Sequence, residues 1–205
     1  MAVLNRRERD RQLRRSDIFA AAEHIFALKG YHKATIRDIA KEAQYATGTV
    51  YLHFKDKDEL YRSLFTEKLK GMLSVVEEKM ASAKDSKGKL GVFVRESLAY
   101  FEENLDFFRI FVSESDDMML AEKSIRNTPA GQKFEKYMED IVKQGQKEGV
   151  ISRDFEPVQV LDILTSIMKS FVLKWFKENS KNKKSLVGVS GVILKCLLRG
   201  ISEDK

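Results

Sequence analysis

The sequence predicts an all-α chain, a small helical head followed by a larger helical body, and three observations predict it. Apolar residues recur at three- and four-residue spacing from Ile18 almost to the end. Only two prolines and eleven glycines interrupt 205 residues rich in Lys, Glu, Leu and Ala, which lose little freedom in a helix. No stretch alternates apolar and polar residues as a half-buried strand does, and no internal repeat is present.

The first periodic segment carries Ile18, Ala22, Ile25 and Phe26 on one face, and Gly30 ends it because glycine accepts left-handed geometry at low cost. Thr35 stands where an N-cap belongs, ahead of Ile36, Ile39, Ala40 and Ala43. A short helix over residues 47–53 follows, with Val50 and Phe54 turned one way. Asp56 and Glu59 fit a capping pair that opens a longer helix, lined by Leu60, Leu64, Leu69, Met72, Leu73, Val76 and Met80. From residue 57 to about 83 it spans roughly 40 Å. Residues 84–89 read as a polar loop, then 90–104 and 106–115 as apolar, aromatic helices, with a weaker helix at 118–125. Thr128-Pro129 marks a helix start, since proline at the first helical position gives up nothing. That helix carries Phe134, Tyr137, Met138, Ile141 and Val142 and stops near Gly149. Pro157 opens another, apolar on two stripes and so covered on both. Residues 179–184 read as a loop and 186–198 as the last helix.

Charge is unevenly placed. Of the net +6, residues 1–62 hold +4, and residues 6–15 alone set Arg6, Arg7, Arg9, Arg11, Arg14 and Arg15 against Glu8 and Asp10. Such an arm beside a folded module either follows a nucleic-acid backbone or is a solvated tail, and the sequence leaves both open.

Helix, tight turn and a second short helix, polar on its outer side, is the layout of a helix-turn-helix. The outward residues Thr47, Thr49, Tyr51 and His53 are hydrogen-bonding groups suited to phosphates and base edges in a major groove. Gly48 removes a side chain where backbone N–H groups meet a phosphate closely. The run Thr-Ile-Arg-Asp-Ile-Ala-Lys-Glu-Ala … Thr-Gly-Thr-Val-Tyr-Leu-His-Phe-Lys-Asp-Lys-Asp-Glu-Leu, over residues 35–60, resembles the N-terminal signature of the TetR family of bacterial regulators, with a close match over residues 18–64. The resemblance implies a homodimeric, all-helical protein, usually a repressor that leaves DNA when a ligand enters the C-terminal domain. It implies that Arg37 reaches a base edge, that Thr35 and Lys57 contact phosphates, that Thr47 and Thr49 face bases, and that Tyr51 and His53 meet phosphate or base edges. The chain departs from the family's usual Gly-Val-Ser turn with Gln44-Tyr45-Ala46. Ala46 cannot cap the recognition helix, Gln44 must adopt what glycine usually supplies, and Thr47 is the next residue able to cap.

The expected organisation is therefore residues 1–56 as basic arm and DNA-binding helix-turn-helix domain, and 57–205 as effector-binding and dimerisation domain. Aromatic and methionine side chains crowd the body, suited either to plain core packing or to a roomy apolar pocket. Phe93, Phe101, Phe111, Met138, Met168 and Phe171 are the expected pocket residues, for a hydrophobic or amphipathic effector such as an acyl chain or planar aromatic compound. Arg95, Glu96, Arg109 and Lys169 are candidate polar anchors or solvent-facing groups. By position, the last two helices resemble the family's dimer-forming pair, with Gly188, Ser190 and Gly191 allowing close contact and Val187, Val192, Ile193 and Leu197 supplying apolar area, so that the dimer reads a palindromic operator on double-stranded DNA.

No catalytic residue, cofactor or metal is expected. His24, His32 and His53 have no metal-site spacing, and Cys196 lies among Ile193, Leu194, Leu197 and Leu198 as a packed thiol. One cysteine and no apolar run long enough for a bilayer suit a cytoplasmic protein. Two rivals stay open: a ligand-binding or interaction module whose head has lost operator specificity, and an architectural DNA binder with no effector.

Overall fold

The computed structural model describes residues 5–104, 128–182 and 185–200. These form eight α-helices and one 3-10 turn, with no strand among the described residues: α1 (Arg6–Lys33), α2 (Ile36–Glu42), α3 (Thr47–Tyr51), α4 (Lys57–Met80), α5 (Ser86–Glu103), α6 (Pro129–Lys147), α7 (Pro157–Asn182), the 3-10 turn Val187–Val189, and α8 (Ser190–Gly200). The helices expected over 106–115 and 118–125, and Phe111 with them, lie outside the described residues. No helix among them is long and apolar enough to cross a membrane.

Two compact units divide the described chain, and the division falls inside α4 between Leu69 and Lys70. The head is built on Ile18, Phe19, Ala22, Ile25 and Phe26 of α1, Ile36, Ile39 and Ala40 of α2, Val50 of α3, Phe54, and Leu60, Tyr61 and Leu64 of α4. A boundary at 56–57, as drawn from sequence, would part Leu60, Tyr61 and Leu64 from the core they complete. Aromatic pairs fix their angles: Phe19–Phe54 at 5.3 Å, Phe26–Tyr61 at 5.5 Å edge-on, and Tyr31–Tyr61 at 4.8 Å between centroids.

Several elements begin or end away from the sequence expectation. α1 starts at Arg6, not Ile18, so the basic arm is helix and not tail: Asn5 accepts from the Glu8 amide and the Glu8 carboxylate accepts from the Asn5 amide, both at 2.9 Å. At its other end Gly30 has φ 74°, which breaks the helix before the chain turns to α2. α5 begins inside the expected loop because Asp85 caps it, accepting from the Gly88 amide at 2.7 Å. α7 runs through part of the second expected loop, to Asn182.

In the body α5 packs on α6 and α8, α6 on α7, and α7 on α8. Leu90, Phe93, Val94 and Leu98 of α5, Met138, Ile141 and Val142 of α6, Val160, Leu164, Met168 and Val172 of α7, and Ile193 and Leu197 of α8 are among its buried residues.

Candidate functional site

The turn before α3 shows how the chain manages its departure from the common pattern. Gln44 takes φ 58°, the left-handed conformation that glycine usually fills. Ala46 is the N-cap of α3 and makes no side-chain cap hydrogen bond, so Thr47 is the first helical residue and does not shift the helix by one. α3 is held instead by Val50, fully buried, and by Phe54 just beyond it. Tyr45 anchors the turn by donating its hydroxyl to Asp17 of α1 at 2.7 Å, which raises the Tyr45 pKa.

This leaves an outer face on α3. Gly48 and Tyr51 are exposed, Tyr51 to 53 %, while Thr47 and Thr49 are half-buried. A Cβ at Gly48 would touch nothing within 4 Å, so backbone or ligand approaches there freely. Arg37 is exposed on α2.

Two of the expected DNA contacts, Thr35 and Lys57, are otherwise engaged, and a third, His53, is half-buried. Thr35 caps α2: its Oγ1 accepts from the Asp38 amide at 3.1 Å and donates to Asp38 Oδ2 at 2.8 Å, so its proton is not offered to a phosphate. Asp38 also pairs with Lys29 at 2.8 Å, and the Lys29 and Thr35 bonds hold its carboxyl below the usual value. Lys57 turns inward, donating to the carbonyls of Tyr31 at 2.8 Å, Ala34 at 3.0 Å and His32 at 3.3 Å, over the Tyr31 ring at 4.3 Å. It satisfies the carbonyls freed where α1 breaks at Gly30, a role that only the tertiary fold reveals. His53 is half-buried with an unpartnered Nδ1, and burial with Arg11, Arg15 and Arg14 nearby lowers its pKa.

Asp56 accepts from the Glu59 amide at 2.7 Å, while the Glu59 carboxylate reaches one residue further back, to the Lys55 amide at 2.6 Å.

In the body the five described residues of the expected pocket sit on three helices that pack in series. Phe93 and Met138 and Met168 are buried, Phe101 and Phe171 half-buried, and Phe93 meets the Phe134 ring at 6.0 Å. Sequence reasoning missed Ser97, buried on α5 between Phe93 and Phe101 with an unpartnered hydroxyl. Of the expected anchors, Glu96 is buried and already neutralised by Lys79 and Arg95, its pKa lowered chiefly by the Lys79 bond. On α8 and the turn before it Gly188, Gly191 and Val192 are exposed, and Val187 is half-buried. Cys196 is exposed too, not packed as its apolar neighbours in sequence suggested.

A capped helix, a tight turn and a short second helix with an open polar face, seated on an all-helical head, define a helix-turn-helix protein. Residues 18–64, the head's helix-turn-helix and the start of α4, match the family described as bacterial regulatory proteins, tetR family. It is 27 % identical over 186 residues to the fatty acid metabolism regulator protein of Bacillus subtilis (strain 168), covering 90 % of this chain and 93 % of that one. It is 24 % identical over 143 residues to the HTH-type transcriptional repressor KstR2 of Rhodococcus jostii (strain RHA1), covering 70 % of each. The fold matches the solved structure of the transcriptional regulator FadR from Bacillus subtilis in complex with stearoyl-CoA, with TM-score 0.79, 24 % identity, and 91 % and 98 % of the two chains covered.

Proposed function

We propose that the chain is a homodimeric repressor that holds a palindromic operator through α2 and α3 and releases it when an amphipathic effector, a long-chain fatty acyl thioester, enters the body. The observation that carries the DNA-binding half is the open face of α3, with Gly48 and Tyr51 exposed and Thr47 and Thr49 beside them, over a rigid core. Arg37 adds a guanidinium on the preceding helix, suited to bidentate contact with guanine. The acyl thioester is supported by the likeness to a fatty acid metabolism regulator and to a regulator solved with stearoyl-CoA, and by a body whose buried side chains are mostly apolar.

The dimer reading rests on α8 and the turn before it. Gly188, Gly191, Val192 and Cys196 follow one another at helical spacing and all are exposed, while Ile193 and Leu197 face the body's own core. Neither glycine would meet anything if it carried a Cβ, so a second helix has room to approach closely.

Fluorescence anisotropy on the intergenic DNA upstream of the gene, against a scrambled duplex at one stated salt concentration, tests the reading. Specific binding should exceed the control by about 10³ or more, and stearoyl-CoA should abolish it. Equal, weak binding to both duplexes would instead favour a binding module without operator specificity.

A further inference from the structure

The arginine-rich start of α1 is the one strongly charged feature that the helix-turn-helix does not absorb. Because Asn5 and Glu8 cap it, residues 6–15 are a fixed helical extension of the head. Their register on the helix then has meaning. Ile18, Ala22 and Ile25 mark the face of α1 that is buried in the head core. Counting back by three and four residues, that same face carries Arg15, Arg14, Arg11 and Arg7, whereas Arg9 lies on the opposite side and Arg6 toward the flank. Arg7, Arg11 and Arg14 are exposed, so here the face overhangs the rest of the head instead of packing on it.

Arg15 marks the change from core to overhang. Its guanidinium lies 4.9 Å from the Phe19 ring centroid and 4.7 Å from that of Phe54, the residue that follows the recognition helix at three positions' remove. The arginine face is thereby tied to the C-terminal end of α3. His53, with its buried and unpartnered Nδ1, lies at the same place, within the field of Arg11, Arg14 and Arg15. None of the six arginines of the arm pairs with a carboxylate among the described residues, although Glu8, Asp10 and Asp17 are on the same helix. Like charges gathered on one side of a rigid helix without acidic partners repel one another, and an external polyanion relieves that repulsion.

We propose that Arg7, Arg11 and Arg14 form a second, sequence-independent DNA contact, gripping the phosphate backbone that borders the groove read by α3. The spacing suits it: Arg7 to Arg14 spans about 10 Å along the helix, and one strand presents a phosphate about every 3.4 Å of duplex axis. Three phosphates lie within that span, one for each arginine. Such contacts position the head and set its register without reading bases.

The inference rests on the DNA-binding reading above, and the test separates the two. Binding of the full-length protein to the upstream intergenic duplex and to a scrambled duplex is measured by anisotropy over a salt series, for wild type and the triple variant R7A/R11A/R14A. Alanine is the best helix former, so the arm stays helical, which far-UV circular dichroism checks. The triple variant should lose on the order of 10²-fold in affinity per protomer near 0.15 M salt, on both duplexes alike, and its salt slope should flatten by about 0.9 for each phosphate released. The single variant R9A, on the opposite face, should change the slope by far less than R11A. Equal slopes for the triple variant and wild type would overturn the arm contact while leaving the helix-turn-helix reading intact. Equal effects of R9A and R11A would overturn the face and leave only net charge. A wild-type protein that binds neither duplex at any salt would overturn both.

Discussion

The head and the body each join an apolar core to polar ties, but place those ties differently. The head is pinned at nearly every junction by a hydrogen bond of fixed geometry: Asn5 and Thr35 cap its helices, Lys57 gathers three carbonyls where α1 breaks, and Tyr45 ties the turn to Asp17. The body sets its polar ties at helix starts and connections, with Asp85 and Thr128 capping α5 and α6, Glu148 accepting from the Ser86 amide and Glu102 from that of Leu186, around a core whose buried side chains are mostly apolar. A surface that must meet phosphates and base edges needs atoms held in place, and polar caps supply that. A site for an apolar chain needs volume and adaptable walls, which Phe and Met give without fixed geometry.

The largest effects should come from breaking the head's core. Phe26 is 1 % exposed and meets Tyr31 and Tyr61. Phe26→Ala should cost about 3–5 kcal/mol, read by denaturant unfolding. If the head and body are separate cooperative units, a first transition should move to lower denaturant while a second stays in place. A single transition that shifts as a whole would show that the two units unfold together.

Next in size is a change that should leave stability untouched. Tyr51→Ala removes an exposed side chain, so its thermal midpoint should match wild type. Its affinity for operator DNA should fall by about 1–3 kcal/mol, roughly 5- to 150-fold. A fall in midpoint equal to the fall in affinity would place Tyr51 in the core of the head and not on its working face.

The body offers a pH test. Glu96 is buried, and its bonds to Lys79 and Arg95 lower its pKa from the ordinary 4.5. A depressed carboxyl contributes stability that is complete above the unfolded value and is lost as pH falls through the folded one. Glu96→Gln should therefore lower the thermal midpoint near neutral pH, and the gap to wild type should close below about pH 4.5. Lys79 and Arg95 are each about half exposed, 53 % and 55 %, so solvent screens the pair and the effect is modest. A gap that does not change with pH would mean that packing of the Glu96 side chain, not its charge, is what counts.

How much of this is legible in the sequence depends on whether the contact is local. Thr35 before an apolar periodic run and Thr128 before Pro129 announced their helices, because a cap is a local event written in adjacent residues. The helical arm was missed because charged residues carry no apolar period, though Asn5 and Glu8, three apart, were the available signal. Asp85 was a similar signal inside an assumed loop. Lys57 as a holder of carbonyls, and Ser97 as an orphaned hydroxyl, were out of reach, since both depend on neighbours remote in sequence. Thr35 separates the two kinds of knowledge. The family resemblance assigns it to phosphate, whereas the structure occupies its hydroxyl with Asp38. Thr35→Ala should cost about 1 kcal/mol of head stability, and an unchanged midpoint with weakened DNA binding would restore the phosphate role.

The smallest expected effect concerns the turn where the chain departs from its relatives' usual residues. Gln44 at φ 58° bears the steric cost of a Cβ in the left-handed region, about 1–2 kcal/mol. Glycine would remove that cost but give back about 0.5–1 kcal/mol through the freedom it adds to the unfolded chain. Gln44→Gly should therefore stabilise the head by a net of about 0.5–1 kcal/mol, measured by denaturant midpoint. Its effect on DNA affinity discriminates further. If Gln44 serves only as a turn residue, operator affinity stays as it was, because α3 is seated by Val50 and Phe54 and not by the turn. If affinity falls while stability rises, the exposed amide of Gln44 itself contacts DNA, and the unusual turn is part of how this head chooses its operator.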